Sequence, residues 1–126
     1  MSNIAYKLVN DAYRSFTLCR DSKYSLCYRV GSTVSAVPDT LGIMCFSSLQ
    51  QAREFCVSDI LWIPCKILKV QGITMLPTPT SVCKVIRDYY LDLYYINRCP
   101  DLMTPPTGTV CFESVKVLKE INNDRL

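Results

Sequence analysis

The chemistry open to a protein is set first by its side chains, and this chain of 126 residues has no histidine. Ser-His-Asp and Cys-His catalysis are therefore excluded, along with the commonest general base and the commonest zinc ligand. What remains is carboxylate, lysine, tyrosine or an activated cysteine. Asp88 and Asp92 are the one acidic pair on a single face of an expected helix, and Lys84 and Arg87 precede them on the same face. Two such carboxylates could share a proton or grip a divalent cation. The simpler reading is a solvated face with its charge offset.

Eight cysteines occur, at 19, 27, 45, 56, 65, 83, 99 and 111, with no C-x-x-C pair to organise a zinc tetrahedron. Most have apolar neighbours (Leu18, Leu26, Met44, Phe55, Val82, Val110), as expected of buried thiols acting as small hydrophobes. A nucleophilic cysteine needs a helix N-terminus or a cation to lower its pKa. Cys45, two residues before Ser47, comes nearest, but Met44 and Phe46 argue for burial. The expectation is a non-enzyme with no catalytic residues, no metal and no cofactor.

Binding is better provided for. Trp62 and Lys66 share one face of a strand pattern, and Tyr28 and Arg29 end a neighbouring one. An aromatic beside cations suits a nucleotide, with a base stacked on a ring and a phosphate on the charge. Tyr89, Tyr90, Tyr94 and Tyr95 form two adjacent pairs, which on a helix cannot all face one core. Tyrosine offers contact area at low entropic cost, so this region reads as a self-association or partner interface.

The elements that must position these residues follow from periodicity. The segments 5–10, 14–19 and 24–30 alternate as half-buried strands, the last two joined as a hairpin by "RDSK". "STVSAVPDTL" is loop-like and "GIMCF" is a short buried strand. Ser47 and Ser48 each have glutamine three residues on, the capping-box spacing, and Leu49, Ala52, Phe55 and Cys56 then recur at helical spacing. No glycine opens that turn to a phosphate, so it reads as architecture.

"DILWIPCKILKV" is the strongest strand, with a bulge expected near Pro64 and an end at Gly72. "MLPTPTS" is a linker, 80–99 a tyrosine-rich helix, and 109–121 a C-terminal strand. The sum is a single α+β domain over 1–126. It has a mostly antiparallel sheet of four or five strands, two packed helices, and the sheet and first helix within 1–72. Four glycines argue against a barrel with many tight turns.

Apolar residues at 49% and charged residues at 20% describe a chain that fills a core. The net charge of +3 comes from scattered Lys and Arg with no dense stripe, so sequence-specific nucleic-acid binding is not expected. "MSNIAYKLVND" lacks the features of a signal peptide, and no apolar run is long enough to span a membrane. The expected setting is a host cytoplasm or a virion, without secretion.

The order "YKLV", "YRVG" at 28–31 and "G…CFSSLQQAREF" at 42–55 resembles a pattern in small virus- and phage-encoded proteins. There a YK strand, a Y-x-V-G strand end and a strand-to-helix turn follow one another. The resemblance covers residues 6–70 and implies a viral accessory or structural protein. It brings no catalytic residues. Protein–protein association is thus the leading expectation, and the alternative is a sponge that sequesters a nucleotide-type signal.

Overall fold

The computed structural model describes residues 3–10, 12–14, 26–38, 41–56, 65–78, 80, 82–83, 102–105 and 107–121. Their elements in chain order are β1 (Asn3–Asn10), β2 (Thr33–Ser35), β3 (Ile43–Phe46), α1 (Leu49–Cys56), β4 (Cys65–Leu76), β5 (Val82–Cys83), β6 (Leu102–Met103) and β7 (Thr109–Ile121). Every pairing is antiparallel. β1 runs along β4 from Asn3 opposite Gly72 to Asn10 opposite Cys65. β4 runs along β7 from Ile67 opposite Ile121 to Leu76 opposite Cys111. The other edge of β7 takes β3 and then β2. β3 returns to β1 through the single pair Tyr6 and Phe46, which closes four strands into a small barrel.

The interior is set by the two-residue period of the strands. Ala5 and Val9 of β1 meet Leu68 and Val70 of β4, Ile43 and Cys45 of β3, and Phe112, Val115 and Val117 of β7. Tyr28 caps this core from the segment before β2. The opposite face of β1 is apolar too, because α1 covers it. Leu8, Phe46, Ile67 and Ala52 form that second layer, with Leu49, Phe55 and Ile121 at its margin and the Phe46 and Phe55 rings 5.4 Å apart. α1 starts where its cap predicts: the Gln51 amide donates to Ser48 Oγ at 3.1 Å. The Gln51 side chain turns to Ser47, whose hydroxyl donates to its Oε1.

Several expectations are corrected. A barrel does form with only four glycines, because no two adjacent barrel strands are joined by a tight hairpin; their connections are long. Gly72 does not end β4, which continues to Leu76. The residue is small for a tertiary reason: a Cβ there would lie 2.1 Å from the Phe112 ring. The loop assigned to 32–41 contains β2, formed because Thr33–Ser35 can pair with β7. Residues 26–30 make an isolated bridge, Cys27 with Arg14, in place of a full strand, and Val30 is exposed.

The helix expected over 80–99 does not begin as one. Val82 and Cys83 are strand, paired with Met103 and Leu102, and α1 is the one helix among the described residues. The expected strand over 15–19, Trp62, Pro64 and the stretch 84–101 lie outside the described residues.

Candidate functional site

One end of the barrel carries a connected group of polar side chains. It starts from Asn10 at the end of β1, whose Oδ1 accepts from the amides of Ala12 (2.9 Å) and Arg14 (3.0 Å). This is the local side-chain turn that Asn favours, and it sets Tyr13 at φ 60°. Tyr13 then ties three elements together. Its hydroxyl donates to Glu120 Oε1 of β7 at 2.6 Å, and its carbonyl accepts from the Tyr28 amide at 2.7 Å. Lys66 of β4 lies 5.1 Å from the centre of its ring. Lys66 also reaches Glu120 Oε2 at 3.8 Å.

Beneath this group the core holds a cation. Lys7 is only 1% exposed and stands between Ala5 and Val9 on the inward face of β1. Its ammonium donates to the Met44 carbonyl at 3.0 Å and lies 5.5 Å from the centre of the Tyr28 ring. Beyond the single Tyr6–Phe46 pair, β1 and β3 have no ladder bond. The lysine supplies the donor that the Met44 carbonyl otherwise lacks in a dry seam.

The thiols nearby are inert. Burial pushes Cys45 up to about 12, against a downward pull from Lys7 and a further upward push from Cys111. Burial likewise pushes Cys111 up to about 11, with Lys7 opposing it. Desolvation outweighs the cation in both, so neither is a thiolate at neutral pH. Cys27, Cys45 and Cys111 are all free thiols. Both Glu120 oxygens are engaged, and no cluster of three metal-ligating side chains occurs among the described residues.

Of the residues singled out for a ligand, Tyr28 and Lys66 both reach Tyr13, the one through its amide and the other against the ring. The Tyr28 ring is buried against Lys7, and Lys66 is paired with a carboxylate. Arg29 is exposed in a turn closed by Ser32, whose hydroxyl donates to the Arg29 carbonyl at 2.6 Å. Trp62 lies outside the described residues, as do Tyr89, Tyr90, Tyr94 and Tyr95. The ends of the tyrosine segment are described: β5 and β6 hold them side by side. Sequence reasoning missed Tyr13, Glu120 and Lys7. The Asn10 turn was a legible signal for Tyr13; nothing local pointed to the other two.

A second surface lies on β4. β1 stops opposite Gly72, so residues 73–76 have no strand on that side among the described residues. Ile73 and Met75 are 43% and 55% exposed there, and Ile4 is exposed beside them. No helix among the described residues is long and apolar enough to cross a membrane. No family model, curated protein or solved structure matches the chain.

Proposed function

We propose that this chain is a non-enzymatic viral accessory or structural protein that works by association with itself or with a partner protein. The viral part of this reading rests on the resemblance in residues 6–70. Association rests on surface. The carrying observation is the exposed apolar strip of Ile73 and Met75 at the end of β4, along an edge that no strand among the described residues covers and that suits pairing with another chain. The β5–β6 pair supports it, since the segment bearing Tyr89, Tyr90, Tyr94 and Tyr95 leaves and rejoins the described fold at one place. Among the described residues, the buried thiols of Cys45 and Cys111 and an engaged Glu120 favour holding over transforming. The nucleotide-sponge alternative has less support, because the Tyr28 ring is buried and Lys66 is engaged by Glu120.

The test is sedimentation velocity on the full chain over a wide concentration range, with native mass spectrometry of material from its natural host. A concentration-dependent oligomer or a copurifying subunit is expected, weakened by Ile73→Asp or Met75→Asp. A strict monomer with no copurifying protein overturns the reading.

A further inference from the structure

Lysines that are scattered in the sequence converge on the outer face of the barrel. The strand register sets two rows across β1, β4 and β7: Tyr6, Lys69 and Lys119 in one, and Ile4, Gln71 and Lys116 in the next. Lys116 and Lys119 are three residues apart, and in an unbroken strand odd spacing sends side chains to opposite faces. β7 is not unbroken. Lys119 stands opposite Lys69, but Val117 stands opposite Val70, which leaves Leu118 as the extra residue of a bulge. Beyond it Lys116 stands opposite Gln71, on the face of Lys69 and Lys119. Re-aiming side chains is what bulges do in functional strands.

The arrangement carries a cost. Lys69 and Lys119 are direct cross-strand neighbours, and like charges so placed destabilise a sheet. Neither row contains a carboxylate, and the ion pair among the described residues, Lys66 with Glu120, is at the barrel mouth. Lys116 and Lys119 are exposed and Lys69 is half-buried. A local rule broken without compensation among the described residues points to compensation from another molecule.

We propose that this face binds the phosphate backbone of single-stranded nucleic acid without regard to sequence. Rows two residues apart along a strand are separated by about 7 Å, the same order as successive phosphates along an extended single strand. A repeating anion therefore meets both rows by its own periodicity, whereas an acidic protein would have to be built to match. Exposed Ile4 and Ile73 beside the rows offer apolar surface to bases, while Tyr6 in the Lys69 row is packed against the layer under α1. Adsorption to an anionic membrane is the poorer fit, since each cation contributes only about 1 kcal/mol there and this face has three.

The test is fluorescence anisotropy with labelled oligo(dT) and oligo(U) of about twenty nucleotides, longer than one small-barrel site. Three phosphate contacts predict a slope of about −2 in log K against log salt, or roughly 20-fold weaker binding at 200 mM than at 50 mM. Lys119→Gln should flatten that slope by about 0.7. The combined Lys69→Gln, Lys116→Gln and Lys119→Gln variant should lose binding while melting at or above the wild-type temperature. Arg14→Gln, an exposed cation outside both rows, should bind as wild type. Three results overturn the proposal: no binding by the wild type at 50 mM salt, undiminished binding by the triple variant, or binding to anionic vesicles or polyglutamate in place of the oligonucleotides.

Discussion

Replacing Gly72 with alanine tests the packing that allows β4 to run the length of the barrel. The added Cβ would lie 2.1, 2.3 and 2.4 Å from three atoms of the Phe112 ring. Carbon atoms rest about 3.5–4.0 Å apart, so the ring must retreat by about 1.5 Å. It has nowhere to go, being 1% exposed and packed in the cluster of Ile43, Val70 and Val115. Overfilling a close-packed core costs about 1–3 kcal/mol, and a displacement this large belongs at the upper end. Alanine returns about 0.4–1 kcal/mol by restricting the unfolded chain. The net expectation is a loss of about 2 kcal/mol, a fall in Tm on the order of 8 °C for a chain this size. Urea titration followed by circular dichroism measures it. Phe112→Leu shortens the obstructing ring, so the double variant should be more stable than the two single losses predict, with a coupling on the order of 1 kcal/mol. A Gly72→Ala loss below about 0.5 kcal/mol, or strict additivity with Phe112→Leu, refutes the argument.

Brief alkylation of the native protein at neutral pH should leave Cys45 and Cys111 unmodified on peptide mapping, and rapid labelling of either contradicts their burial. Because both folded-state values are raised above the usual 9.0, the native state holds their protons longer than the unfolded chain does. Their contribution is thus full below about pH 9 and is lost as pH rises through 11 to 12, so the urea midpoint should fall over that window and fall less in Cys45→Ala. Ser48→Ala removes the acceptor for the Gln51 amide and should cost about 1 kcal/mol in the same titration. Tyr13→Phe deletes the 2.6 Å bond to Glu120 at an exposed site and should cost about 0.5–1 kcal/mol, and adding Glu120→Gln should then remove only its weak pair with Lys66, so that the two losses fall short of additive.

How far these features are legible in the sequence depends on the range of their cause. The Ser48 cap, the α1 face and the buried strand at 43–46 have local causes, and periodicity with cap chemistry finds them. Gly72 reads as a strand end because glycine often is one, yet its reason is a ring forty residues away. β2 has too few residues for a pattern and exists through its partner. The tyrosine helix expected from 80 onward begins as strand, since Val82 and Cys83 find partners in Met103 and Leu102. The ligand group was half legible: Tyr28 and Lys66 do come to one end of the barrel, but through Tyr13. The lysine rows were invisible, because only the bulge at Leu118 makes neighbours of Lys116 and Lys119.

Lys7 shows why alternation alone cannot assign a face. In "AYKLVN" the larger apolar residues, Tyr6 and Leu8, sit on one parity and Lys7 on the other, so a single buried face would exclude the lysine. Where a helix covers the outside of a barrel strand, as α1 covers the Leu8 end of β1, neither face meets solvent, and the question becomes which layer can satisfy an ammonium. The layer under α1 is hydrocarbon throughout: Leu8, Phe46, Ala52 and Ile67. The interior offers a carbonyl at the β1–β3 seam and the face of Tyr28, and Lys7 takes both. Closure with so short a seam leaves a backbone acceptor unmatched, and a long cationic side chain on the adjacent strand is a solution that needs no further ladder bond. The same charge lies near Cys45 and Cys111, yet burial outweighs it and keeps both thiols protonated. The contacts proposed with other molecules accordingly use the outside of the barrel, at the β4 edge and the lysine rows.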